Sequence, residues 1–304
     1  MANRVYYASH AVSVNGSTIE GAQSAGITAN FTLEQAFQLG KVAIYDNIIT
    51  DAEAGVSVSK ILDGADTIYK KFTGAAQSSI ADHASTQKDI IIAANTQDAD
   101  TSMDTGNQQA VQVTGAFLSS VAYNIPVDGF ATEEVSFVAD NKSATTGTVA
   151  APTGTSTRAT YRQMISTAGF PTEGSGQNVT NISISTDFGR EAMYKLGSFD
   201  PYFRFANFPF EVSVEFTVAN TGIDETDVVL TGVTATSDGS LPAKQTITVT
   251  CNNSQGGLQG AHGYVFTATG CRLSSISQDG GDTGGGNAST TYGYTTYNDL
   301  VISG

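Results

Sequence analysis

At 304 residues and 31.5 kDa the chain can bury one large core or two ordinary ones. Hydrophobic residues make up 40% and charged residues 14%, with 32 glycines, which is unusual for a free cytosolic enzyme, while alternating runs of Val, Ile, Phe and Tyr exclude a fully disordered chain. Lys and Arg number 14 against 29 Asp and Glu, and the formal charge of −15 disfavours a protein that grips nucleic acid.

Residues 1–19 read as an N-terminal arm or strand. Met1–Tyr6 lacks the apolar core of a secretory signal, and no apolar run reaches the about 18 residues of a membrane span, so synthesis in the cytoplasm is expected. Ala65, Ile68, Tyr69 and Phe72 form a helical stripe expected to cover an open side of the first sheet or barrel. The polar segment 75–85 holds few anchoring residues and is expected at a subunit contact. Val111–Val121 and Tyr264–Ile276 each read as a long strand bent at a glycine, Gly115 or Gly270. Residues 143–175 collect turn formers and read as a linker or exposed loop. Beyond it, Asn181–Ser185, Val212–Val218 and Thr246–Val249 alternate with period two and predict strands packed on one side. Glu191–Leu196 is a one-turn helix candidate ended by Gly197, and Phe203–Phe208 follows Pro201-Tyr202 as a further extended piece.

The chain also resembles itself. Phe31, Glu34, Phe37, Leu39, Gly40 and Tyr45 return 157 positions later as Phe188, Glu191, Tyr194, Leu196, Gly197 and Tyr202. Val56-Ser57-Val58 returns at 156 as Val212-Ser213-Val214, and Thr114-Gly115 with Leu118-Ser119-Ser120 returns at 155 as Thr269-Gly270 with Leu273-Ser274-Ser275. Three matches in register point to a tandem duplication. The expected organisation is a β domain at 20–142, the linker at 143–175 and a second β domain at 176–304.

No catalytic, cofactor-binding or metal-ligating set emerges, and the expectation is a protein that is not an enzyme and needs no cofactor. His10, His83 and His262 lie at no ligand spacing with one another or with a cysteine. Asp98, Asp100 and Asp104 lack the rest of a calcium loop. The glycine-rich runs 256–260 and 280–286 lack the Lys-Ser or Lys-Thr of a phosphate loop and read as hairpin tips. Serines have no visible His and Asp partners. Cys251 and Cys271 are buried thiols or a single bridge, with free thiols favoured because Cys251 ends a β-like run.

The stretch Asn181–Glu191, followed by Leu196-Gly197 and Phe208–Glu215, resembles structural proteins of tailed bacteriophage virions, tail tube proteins in particular, with a further likeness over 261–300. That resemblance implies a mainly β chain of two tandem β-barrel or β-sandwich domains with few short helices. It implies a virion tail location, self-association into rings stacked around a DNA-conducting channel, and genome ejection without specific binding, while the excess of 29 acidic over 14 basic residues predicts an acidic lumen. Two domains per chain would make a trimer with pseudo-six-fold symmetry, a hexamer being the other option, with sheath, baseplate and neck proteins as further partners. A trimeric baseplate hub or tail completion protein, and a capsid, fibre or surface adhesion module, are the alternatives.

Overall fold

The computed structural model describes residues 9–95, 108–153, 159–162, 165–168, 178–219, 244–251, 263–280, 288–297 and 300–303. The first half runs β1 (His10–Val14), β2 (Ser17–Thr18), β3 (Ala22–Phe37), β4 (Ile44–Ile61), α1 (Ile68–Thr73), β5 (Gln77–Ser79), a 3-10 turn at Ala81–His83, β6 (Gln87–Asn95), β7 (Gln108–Pro126), β8 (Thr132–Ala139) and β9 (Lys142–Thr145). The second runs β10 (Ile165–Ala168), β11 (Asn178–Asp187), β12 (Glu191–Met193), β13 (Phe203–Phe205), β14 (Glu211–Ala219), β15 (Gln245–Cys251), β16 (Tyr264–Asp279), β17 (Ser289–Tyr297) and β18 (Leu300–Ser303).

Alternation becomes burial where the sequence alternates. Along β14, Val212, Val214, Phe216 and Val218 point into the core while Glu211 and Glu215 face out. The same period-two logic places Ile182 and Ile184 of β11, and Ile247 and Val249 of β15, in that core. The helical stripe is realised as α1, capped by the Thr67 hydroxyl at its start and by Gly74 at φ 73° at its end, with Ile68, Tyr69 and Phe72 buried. Phe72 packs on Phe137 of β8 at 5.3 Å between ring centroids.

Strand order repeats along the chain. The antiparallel series β3-β4-β8-β7-β6-β1 recurs as β11-β14-β17-β16-β15-β10. β9 pairs with β7 where β18 pairs with β16. Irregularities repeat too: β7 shifts register against β8 between Leu118 and Ser120, and β16 shifts against β17 between Leu273 and Ser275. Gly115 (φ 63°) and Gly270 (φ 67°) sit at matching shifts against β6 and β15, the left-handed bulge position that favours glycine.

The expectation of two β-barrels or β-sandwiches is overturned. Sixteen strands belong to one open sheet, with β12 and β13 forming a separate two-stranded piece. The physical reason is the seam: β11 of the second half hydrogen-bonds to β7 of the first, from Asn181 opposite Pro126 to Asp187 opposite Ser120. A strand committed to its neighbour's sheet cannot also close its own. A second seam pairs β5 with β18, Val301 lying opposite Ser79. The two halves consequently share one hydrophobic core, in which the rings of Tyr123 of β7 and Phe266 of β16 meet at 4.4 Å between centroids, tilted by 48°.

Three local expectations change as well. Glu191–Met193 is strand β12, not a helical turn, because Met193 pairs with Phe203 across a hairpin that Gly197 (φ 85°) helps to reverse. Part of 143–175 is strand, through β9 and β10. The polar segment 75–85 is anchored within the chain by β5 and by Ile80, which is fully buried, so it is not a loose contact segment.

Candidate functional site

Two ribbons carry most of the exposed apolar surface. The first is the outer part of the β3–β4 hairpin. Leu33 lies opposite Ile49 and Phe37 opposite Ile44, pairs that would form a buried face in most sheets. Here Phe37 is 72% exposed and Tyr45 71%, and Phe31, Leu33, Leu39, Val42, Ile44, Ile48 and Ile49 are exposed as well. The strands enter the core only at the base, where Ala54, Val56 and Val58 of β4 are buried. From Phe31 to the tip the arm spans about 20 Å at the usual strand rise. A lone two-stranded ribbon is marginal in water, and contiguous exposed apolar surface of this kind marks an interaction site.

The second ribbon is β12–β13 with its flanks, inserted between β11 and β14. Its pairings repeat those of the first arm at 157 positions: Glu34 opposite Ile48 becomes Glu191 opposite Phe205, Gln35 opposite Asn47 becomes Ala192 opposite Arg204, and Ala36 opposite Asp46 becomes Met193 opposite Phe203. Gly40 (φ 84°) and Gly197 (φ 85°) occupy the same place in the two tips.

Unlike the first, this arm is seated on the chain's own first half. Phe203 meets Phe117 of β7 edge to face at 5.1 Å. Arg204, its side chain 3% exposed, donates from Nη1 to Glu53 Oε2 at 2.9 Å and from Nε to Asp140 Oδ1 at 2.8 Å. Burial alone would lower the Arg204 pKa, but the two carboxylates more than offset it and hold it above its ordinary value. Arg190 lies over the rings of Phe117 and Phe188 and donates to the Leu118 carbonyl at 2.7 Å, and burial lowers its pKa to about 10.

The main cluster of ionisable groups is buried. Glu133 of β8 accepts from the Ile68 and Tyr69 amides at the start of α1, at 2.6 and 3.1 Å, and from the Tyr123 hydroxyl at 2.9 Å. Lys60 of β4, also fully buried, donates to the Ala65 and Asp66 carbonyls and pairs with Asp63 at 3.3 Å. Tyr264 reaches across from β16 to donate to the Ala65 carbonyl. Burial pushes the Glu133 carboxyl up, against the pull of its hydrogen bonds and of Lys60, and pushes the Tyr123 phenol well up. With no exposed face, this node ties α1 and the second half to the sheet. Only the pattern of apolar neighbours marks Glu133 and Lys60 in sequence, and neither was singled out there.

The candidates weighed from sequence are scattered by the fold. His83 shares a contact with Thr86 at 3.3 Å, far in sequence and element from His10 of β1. Cys251 and Cys271 are free and buried, and burial raises the Cys251 thiol to about 12. Asp98, Asp100, Asp104, His262, Gly256–Gly260 and most of 280–286 lie outside the described residues. Among the described residues no group of three metal-ligating side chains converges. A groove of about 940 Å³ runs beside β3, lined among others by Ala25, Ile27, His10, Ile92, Ala144 and Thr145.

No protein-family model matches the chain, and no curated protein matches it. The expectation of a tail tube subunit, with rings stacked around a DNA channel and genome ejection through it, is overturned together with its viral and barrel attributes. It required a subunit sheet curled into a barrel, and the sheet is open. The hub, capsid, fibre and adhesion alternatives drew on the same likeness and the same composition and are not carried further.

Proposed function

We propose that this protein is a non-catalytic structural subunit that works by binding further copies of itself through the β3–β4 arm. One observation carries this reading: the arm displays a two-sided set of large apolar side chains to solvent, while the equivalent arm in the second half is seated against β-structure of the same chain. Exposed apolar area of that extent gains free energy when covered, at roughly 25 cal/mol per Å² removed from water.

Sedimentation velocity over a concentration series tests the reading. The chain is expected to associate reversibly, and the triple variant Phe37→Ser, Leu39→Ser, Val42→Ser to associate at least about tenfold more weakly with an unchanged melting temperature, since these side chains add nothing to the monomer's core. A chain that stays monomeric up to the highest soluble concentration would refute it.

A further inference from the structure

Resting on that reading, we infer which surface of the second copy receives the arm: the outer edge of β3 in one copy pairs antiparallel with the C-terminal half of β16 in the next, repeating between chains the β11–β7 seam made within each chain. The argument starts from the edges of β7. One edge carries β9 at Ala110–Val113 and then β8 at Phe117–Asn124. The other carries β6 at Gln108–Phe117 and then β11 at Ser120–Pro126.

β16 is built the same way on three of those four places. β18 and then β17 occupy one edge, and β15 occupies the first part of the other, up to Cys271. The fourth place, along Ser275–Gln278, has no ladder partner among the described residues. Correspondingly β11 is paired on both edges, by β14 and β7, whereas β3 is paired only by β4 among the described residues. Among the described residues the chain therefore presents an unfilled socket and an unused strand of the kinds that it joins internally. Unpaired edges of this length invite pairing, and a contact between two different surfaces is head-to-tail.

Carrying the internal register across sets the pairing. Ser185 opposite Ala122 becomes Thr28 opposite Ser277, Ile184 opposite Tyr123 becomes Ile27 opposite Gln278, and Asp187 opposite Ser120 becomes Asn30 opposite Ser275. The groove beside Ala25 and Ile27 leaves room along that edge.

The arm's seat follows from the same correspondence. Phe203 rests on Phe117, and the equivalents of these two residues are Asp46 and Arg272, both exposed. Where the internal seat is a ring contact, the seat between copies is an ion pair of opposite charges. Ladder register, in which Val212 opposite Thr296 takes the place of Ala54 opposite Ala139, two positions off the sequence match at 156, puts Glu211 and Tyr297 where Glu53 and Asp140 stand; Asn47 stands for Arg204 and meets them, so a neutral donor replaces the guanidinium before one carboxylate. No like charges are brought together, which a wrong register would not ensure.

Charge exchange tests the assignment. Asp46→Arg and Arg272→Asp, each alone, are expected to weaken association at least about tenfold. The double variant, and an equimolar mixture of the two single variants, are expected to recover it, because each pairing then meets its opposite charge on the neighbouring copy. Both sites are exposed, so circular dichroism should show unchanged folding. Amide exchange provides an independent measurement: Ser24–Asn30 and Ser275–Gln278 should slow in the associated form of the native chain. If association persists in both single variants and neither segment slows, the assigned interface is wrong while self-association through the arm stands. Association that stops at two copies also overturns it, since head-to-tail pairing leaves a socket and a strand open at each end. A native chain that never associates overturns both this inference and the reading it rests on.

Discussion

Glu133 shows how a single buried carboxyl can make stability depend on pH. Burial raises its folded pKa above the ordinary 4.5, so the folded state holds the proton more tightly than the unfolded chain. Stability from this group is present below the unfolded pKa and is lost as pH rises through the folded one. Urea unfolding from about pH 4 to about pH 8 should show the native chain losing ground to Glu133→Gln, whose amide oxygen can still accept from the start of α1 but cannot ionise. A difference between the two that is constant with pH would mean that Glu133 titrates alike in both states. Arg204 acts differently, because its partners Glu53 and Asp140 remain partly exposed and regain water when the pair is broken. Arg204→Met is therefore expected to cost about 2 kcal/mol, below the range for a fully buried pair, and to loosen the second arm measured by faster amide exchange over Glu191–Phe205.

At the scale of elements, the two arms have related sequences and opposite surroundings. Phe37 and Tyr194 occupy matched positions, and so do Leu39 and Leu196, yet the second arm is held by Phe203, Arg190 and Arg204 where the first has Asp46, Leu33 and Asn47. Among the many positions at which the arms differ, these three supply contacts that fasten the second arm to its own chain and that the first arm lacks. Helix α1 is six residues long and cannot stand by propensity alone. It depends on its cap and on Phe72, so Thr67→Ala should cost about 1 kcal/mol and Phe72→Ala about 3–5 kcal/mol in chemical denaturation. Equal effects of the two substitutions would show that α1 is not fixed by its packing on β8.

For the molecule as a whole, the seam between β7 and β11 and the shared core make the halves mechanically dependent. Tyr123, Phe266 and the Lys60–Tyr264 meeting at the Ala65 carbonyl each span them. Calorimetry on the dilute chain should give one transition with calorimetric and van't Hoff enthalpies in agreement. Two resolved transitions would mean that each half folds alone and the seam only docks them.

Much of this was written in local sequence. Period-two alternation in Val212–Val218 and the stripe through Ile68, Tyr69 and Phe72 placed strands and helix correctly, because side-chain direction follows backbone period. The match of Phe31–Tyr45 with Phe188–Tyr202 pointed to repeated units, and the two stretches do share one register, but their hairpin form was not legible, since Glu191–Leu196 reads as a helical turn; the glycines at 115 and 270 pointed to a bend or bulge, and left-handed bulges stand there. Closure was decided elsewhere. Whether a strand completes its own barrel or joins a neighbour's sheet depends on which edge it meets in space, and backbone hydrogen bonds carry no side-chain signature of their partner. The same is true of exposure: Phe37 and Phe72 read alike as apolar residues in amphipathic runs, and only the tertiary arrangement put one at the tip of an arm and the other against Phe137.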